Sequence, residues 1–167
     1  MTAMPDDSSA LRTQLEKLGL HTIATQFASE AERAAKSEST YTAYLARLVE
    51  AELVDKTDRS VNARITRAHF PMLRTFDQFD FAFQPGLSAS RVRELGTLAF
   101  VDQAANVLFV GGPGVGKTHL AIAIGLRACA ARKSIAFFAA ADLLDQLVAA
   151  EVAHTLGKLL EQLRRLD

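Results

Sequence analysis

The chain has a single cysteine, Cys129, so no disulfide can form within it. That fits a reducing compartment, and Cys129 reads as a small apolar residue on a helix. There is no excess of either charge: 19 Lys and Arg balance 19 Asp and Glu. Overall charge therefore points to neither a nucleic acid nor a membrane surface, and any such signal must be local. No apolar run reaches the roughly 20 residues needed to span a bilayer. The start, Met1 to Ala10, is polar and acidic, unlike a secretory signal. His21, His69 and His154 are scattered and no pair has metal-ligand spacing. Internal repeats and low-complexity tracts are absent. At 167 residues and 49% hydrophobic content, the chain is globular: one domain, or one small domain and part of another. The expected location is the cytoplasm.

Along the chain the pattern changes twice. Leu11, Leu15 and Leu18 recur at helical spacing until Gly19, which predicts a first helix. A second is expected over Thr22 to Lys36. A third opens near Tyr41, with Tyr44, Leu45, Leu48 and Val49 as its apolar face, and runs to about His69 before Pro71. Residues 1–75 thus form an all-helical N-terminal domain. The stretch 76–90, FDQFDFAFQPGLSAS, mixes aromatics with turn formers and reads as a linker. Phe79, Phe81 and Phe83 fit core anchors there, or a contact with a nucleotide base. Residues 91–167 read as α/β. A helix from Ala89 to Gln103 precedes the apolar run 106–110, of buried parallel-strand type. A helix from Lys117 to Ala131, a strand over Ser134 to Ala139, a helix opening near Asp142 and one from Thr155 to Arg165 complete the expected elements. Strand, crossover helix, strand is a βαβ unit.

The clearest chemistry lies at Gly111, Gly112, Pro113, Gly114, Val115, Gly116, Lys117 and Thr118, which satisfy the P-loop pattern G-x-x-x-x-G-K-[ST]. Glycines let the backbone approach phosphate oxygens and form an anion nest of N–H groups. The loop opens a helix whose N-terminus favours negative charge. Lys117 would face β- and γ-phosphates, and the Thr118 hydroxyl would ligate Mg2+. Pro113 stiffens the loop, and His119 begins the helix. A dinucleotide fingerprint is excluded, because Gly112, Gly114 and Gly116 do not give G-x-G-x-x-G.

A second, weaker signal is basic. Lys56, Arg59, Arg64 and Arg67 fall on one arc of the third helix, opposite Val54, Val61, Ile65 and Ala68. Such a face suits a nucleic-acid backbone or is simply solvated, and Asp55 and Asp58 dilute it.

The segments FDFAFQPGLSASRVRELGTLAFV (79–101), NVLFVGGPGVGKTHLAIAIG (106–125) and AADLLDQL (140–147), with AHFP at 68–71, resemble the IstB-like ATP-binding proteins, relatives of the DnaC helicase loader within the AAA+ class. The resemblance runs from about Leu11 onward. It implies a P-loop NTPase fold of AAA+ type, here a partial parallel sheet behind an all-helical N-terminal domain. It also implies ATP and Mg2+ as ligands, duplex DNA and a transposase as partners, ATP-dependent self-association and a role in transposition. The family continues into an apolar strand ending in Asp-Glu, a sensor residue and an arginine finger, none of which these 167 residues supply. No catalytic residue is therefore assigned. The other readings are a DnaC-like helicase loader, a non-hydrolysing DNA-binding fragment with a vestigial P-loop, and a small kinase. The 105 residues ahead of the loop strand disfavour the last of these.

Overall fold

The computed structural model describes residues 7–167; the polar start over residues 1–6 lies outside them. Eight α-helices follow in order: α1 Asp7–Lys17, α2 His21–Lys36, α3 Tyr41–Ala68, α4 Ala89–Leu95, α5 Ala99–Asp102, α6 Lys117–Ala130, α7 Ala140–Val152 and α8 Leu156–Leu163. A 3-10 turn spans Phe76–Gln78. The chain divides into two compact units, Met1–Ser60 and Val61–Asp167.

The first unit is helical for the reasons its sequence announces. Gly19 closes α1, its N–H donating to the Glu16 carbonyl at 2.9 Å. The apolar sides of α2 and α3 then meet: Ala24, Phe27, Ala34 and Leu48 are buried. The Tyr44 hydroxyl donates to the Phe27 carbonyl at 3.0 Å. Glu52, only 3% exposed, accepts the Thr22 and Ile23 N–H groups at 2.8 and 3.0 Å. Those donors lie in the first turn of α2, where no intrahelical acceptor exists, so a carboxylate from α3 replaces a local cap.

The second unit centres on α6, whose Leu120, Ile122, Ala123, Ala128 and Cys129 are buried. The end of α3 is tied in where the Phe137 N–H donates to the Ala68 carbonyl at 2.8 Å. Phe70 and Phe137 pack with ring centroids 6.2 Å apart. Ser134 and Asp167 clamp one another: the Ser134 N–H donates to an Asp167 carboxylate oxygen at 2.7 Å, and the Asp167 N–H to the Ser134 carbonyl at 2.8 Å.

The expected parallel sheet is not there. No strand occurs among the described residues, so the α/β P-loop architecture and its βαβ unit are corrected to a helical arrangement joined by segments without regular secondary structure. The run 106–110 keeps strand-like alternation, with Val107 and Phe109 half-buried while Leu108 and Val110 are 87% and 92% exposed. Its backbone makes no hydrogen bond among the described residues. An apolar run favours an extended backbone locally, but a ladder needs a second strand about 4.8 Å away. The segment 134–139 likewise spends its bonds on Ala68 and Asp167 instead of another strand.

The long helix expected over Ala89 to Gln103 is also interrupted. Gly96 caps α4, and Leu98 takes a left-handed φ of 66°. The Thr97 hydroxyl donates to the Glu94 carbonyl at 2.7 Å, a local bond that competes with helix continuation.

Candidate functional site

The glycine loop joins the extended run 106–110 to α6. Gly114 and Gly116 have φ of 76° and 86°, a region costly for any residue with a β-carbon. Gly116 is the N-cap of α6, so the chain turns from left-handed backbone straight into the first helical turn at Lys117. Among the described residues, no acceptor pairs with the backbone N–H groups of residues 114–119. A helix start always leaves such donors, and here the loop adds more to them. The result is a cluster of backbone donors at the positive end of a 14-residue helix.

Lys117 is half-buried, and its ammonium donates to the Gly111 and Gly112 carbonyls at 2.9 and 2.6 Å. It therefore lies across the loop that it follows. The Thr118 hydroxyl is exposed and makes no hydrogen bond to the described residues. His119 is half-buried, its Nε2 lying 2.8 Å from the Thr75 carbonyl. Beside the loop is a cavity of about 230 Å³, whose wall includes Gln84, Leu87, Phe109, Val115, Lys117 and Leu120. Its wall is largely apolar and carries one cation, Lys117.

The residues at this site fit a magnesium-bound polyphosphate. Backbone donors and one ammonium suit the anion, and the Thr118 hydroxyl is a hard oxygen ligand for the cation. No group of three or more His, Cys, Asp or Glu able to hold a metal occurs among the described residues; Mg2+ would arrive with the polyphosphate, and Thr118 would add one hard oxygen to the phosphate and water oxygens around it.

The chain order hid one partner. Phe79, 8% exposed, packs with Val92 and Leu120, and with the half-buried Phe76, Phe81, Leu87 and Phe109. Phe79 lies edge-on to Phe81 (5.0 Å) and to His119 (5.2 Å). Of the three aromatics read together as a group, Phe79 is core, Phe81 lies beside it and Phe83 is exposed. Only the motif FDFAF hinted at this; its contact with the loop depends on residues 40 positions apart.

The basic face of α3 is less uniform than its helical wheel suggests. In the first unit, Lys56 is exposed, while Arg59 binds the carboxylates of Asp55 at 2.7 Å and Glu52 at 3.2 Å. In the second, Arg67 is exposed, its Nε donating to the Ala63 carbonyl at 3.1 Å. Arg64 is half-buried, and its charge acts on the Cys129 thiol. Burial pushes that thiol up from its usual range, and the Arg64 charge works against the shift. On the expected apolar side, Ala68 is buried and Val61 and Ile65 half-buried, but Val54 is 58% exposed. None of the helices among the described residues is long and apolar enough to cross a membrane.

The chain is 43% identical, over 148 residues, to a Geobacillus stearothermophilus protein of insertion sequence IS5376 named for ATP binding, covering 89% of this chain and 58% of that protein. It is 38% identical over 153 residues to an IS21 counterpart from Pseudomonas aeruginosa, covering 92% and 58%. An IS232 counterpart from Bacillus thuringiensis is 31% identical, covering 92% and 61%. The chain thus spans about six-tenths of the length of these relatives. The model of the IstB-like ATP binding protein family matches residues 13–167, and the chain belongs to that family.

Proposed function

We propose that this chain binds Mg-ATP through residues 111–118 and serves the transposition of an insertion sequence. The observation that carries the reading is the pair of left-handed glycines, 114 and 116, opening directly into α6 with their N–H groups unpartnered among the described residues. Gly111, Gly112, Gly114, Val115 and Gly116 contribute backbone, Lys117 a cation for the β- and γ-phosphates, and Thr118 a hydroxyl for Mg2+. Pro113 stiffens the turn, and His119 orients the first helical turn from behind. When bound, the triphosphate would carry a transferable γ-phosphoryl group; the residues here bind and orient it. The names of the relatives, all tied to insertion sequences and to ATP, support both halves of the reading.

In this reading a transposase is the partner protein, duplex DNA the substrate surface, the cytoplasm the location and ATP-dependent self-association the working state. For DNA, the exposed cations on each unit's share of α3, Lys56 and Arg67, are the leading contacts. Arg64 and Arg59 are secondary because Arg64 is half-buried and Arg59 is already paired with Glu52 and Asp55.

Calorimetry tests the nucleotide half. Mg-ATP should bind with a one-to-one stoichiometry and AMP, which lacks the outer phosphates, should not. Equal affinity for both would show that the loop does not read phosphate, and the proposal would fail.

A further inference from the structure

The first turn of α6 is braced from outside the loop by one ring. Phe79 belongs to the cluster with Val92 and Leu120, but it reaches beyond it. A β-carbon placed on Gly116 would lie 2.6 Å from Cε2 and 3.2 Å from Cζ of that ring. The same ring meets the His119 imidazole edge-on, with centroids 5.2 Å apart and planes at 85°. The imidazole is held in turn by the Thr75 carbonyl at 2.8 Å. Gly116 and His119 bracket Lys117 and Thr118, so a single aromatic lies against the Gly116 backbone on one side and the His119 side chain on the other side of the two residues whose side chains would meet the nucleotide.

We propose that Phe79 is a positioning residue for the phosphate loop. This rests on the nucleotide reading above. Glycine visits many backbone conformations, so a left-handed Gly116 is held only as well as its surroundings hold it. The buried ring fills the space against Gly116 and keeps the start of α6 at a fixed angle to the loop. The loop amides are then ordered before the ligand arrives, and the ordering cost is not charged to binding. Phe79 makes no contact with the ligand in this account. Its effect must therefore be the same for any ligand that carries the phosphates, with or without a base.

The test uses the whole chain and two titrants, Mg-ATP and Mg-tripolyphosphate. Phe79→Leu, which removes the ring edge, should weaken both by the same factor, roughly tenfold. Val92→Ala opens the same apolar cluster from the α4 side. It should lower Tm at least as much as Phe79→Leu while leaving both Kd values within about twofold. If Phe79→Leu melts below the assay temperature, Phe79→Met, whose flexible unbranched side chain fills irregular gaps better, carries the same expectation. Unchanged Kd values in the folded Phe79 variant would overturn the inference. A loss confined to ATP would overturn it too, because the ring would then be reading the base. So would an equal loss in Val92→Ala, which would make the effect general softening of the cluster. A wild-type chain that binds neither titrant would bring down the nucleotide reading itself, and that result is distinct from the other three.

Discussion

The glycine loop 111–119 and the cationic arc of α3 both read as phosphate-binding in the sequence, yet the structure gives their residues very different surroundings. The loop's chemistry is written into its own backbone. Gly114 and Gly116 take the conformations that only glycine takes without strain, and α6 begins where the pattern says a helix should. The arc's chemistry depends on what surrounds each charge. Arg59 is held by Glu52 and Asp55, and Arg64 is half-buried, so the four cations are not equivalent. A backbone motif is complete within eight residues. A charge motif is completed, or cancelled, by neighbours on the same and other helices.

The sharpest way to break this comparison is within the loop. Lys117→Ala removes the cation and should weaken Mg-ATP by roughly 10- to 100-fold, the worth of a charge-assisted hydrogen bond. An unchanged Kd by calorimetry would place the loop on the same footing as the arc. Next in size is backbone strain. Gly116→Ala imposes a left-handed conformation on alanine and drives its β-carbon into Phe79. It should cost about 2 kcal/mol in denaturant unfolding. Gly112→Ala, with nothing within 4 Å of the added carbon, should cost about 0.5 kcal/mol or less. Equal costs would mean that the loop conformation is not specified at 116.

The arc can be sharpened by salt. If Lys56 and Arg67 neutralise DNA phosphates, changing both to Ala should reduce the slope of log Kd against log salt by about 1.8. Arg59→Ala should leave that slope alone and instead cost about 1 kcal/mol of stability, because Glu52 loses a partner while buried. If Arg59 moved the slope as much as the pair, the ion-pair argument would be wrong. The smallest effect concerns Cys129. Its pKa is raised by burial, so the contribution of the protonated thiol is complete below the ordinary thiol range and is lost as pH rises through the folded-state value. Tm should fall on alkaline titration in wild type, and less so in Cys129→Ala. Arg64→Ala should raise the thiol pKa further, since the opposing charge is gone.

Much of the helical part was legible in the sequence. Gly19, the break at 37–40 and Pro71 mark the ends of α1, α2 and α3 to within a few residues, because helix periodicity and its stop signals are local. The start of α6 was legible for the same reason. The sheet was not, because an apolar run such as 106–110 reports a preference for extended backbone and says nothing about which strand will pair with it. The break between α4 and α5 was missed because it turns on a left-handed Leu98, and leucine carries no signal for that conformation. At the candidate site the loop residues could be read directly, while Phe79 and Thr75 could not. Their contacts with Gly116 and His119 span roughly 40 residues of chain.

The central claim is that the loop amides are the binding surface, and backbone amide NMR on nitrogen-15-labelled chain tests it most directly. Titration with Mg-ATP should shift the amides of Gly114, Gly116, Lys117 and Thr118 most. All four should saturate at one Kd, and Lys117→Ala should suppress the response. Saturating Mg-ATP that leaves those four amides unmoved, or moves a set elsewhere in the chain, would contradict it.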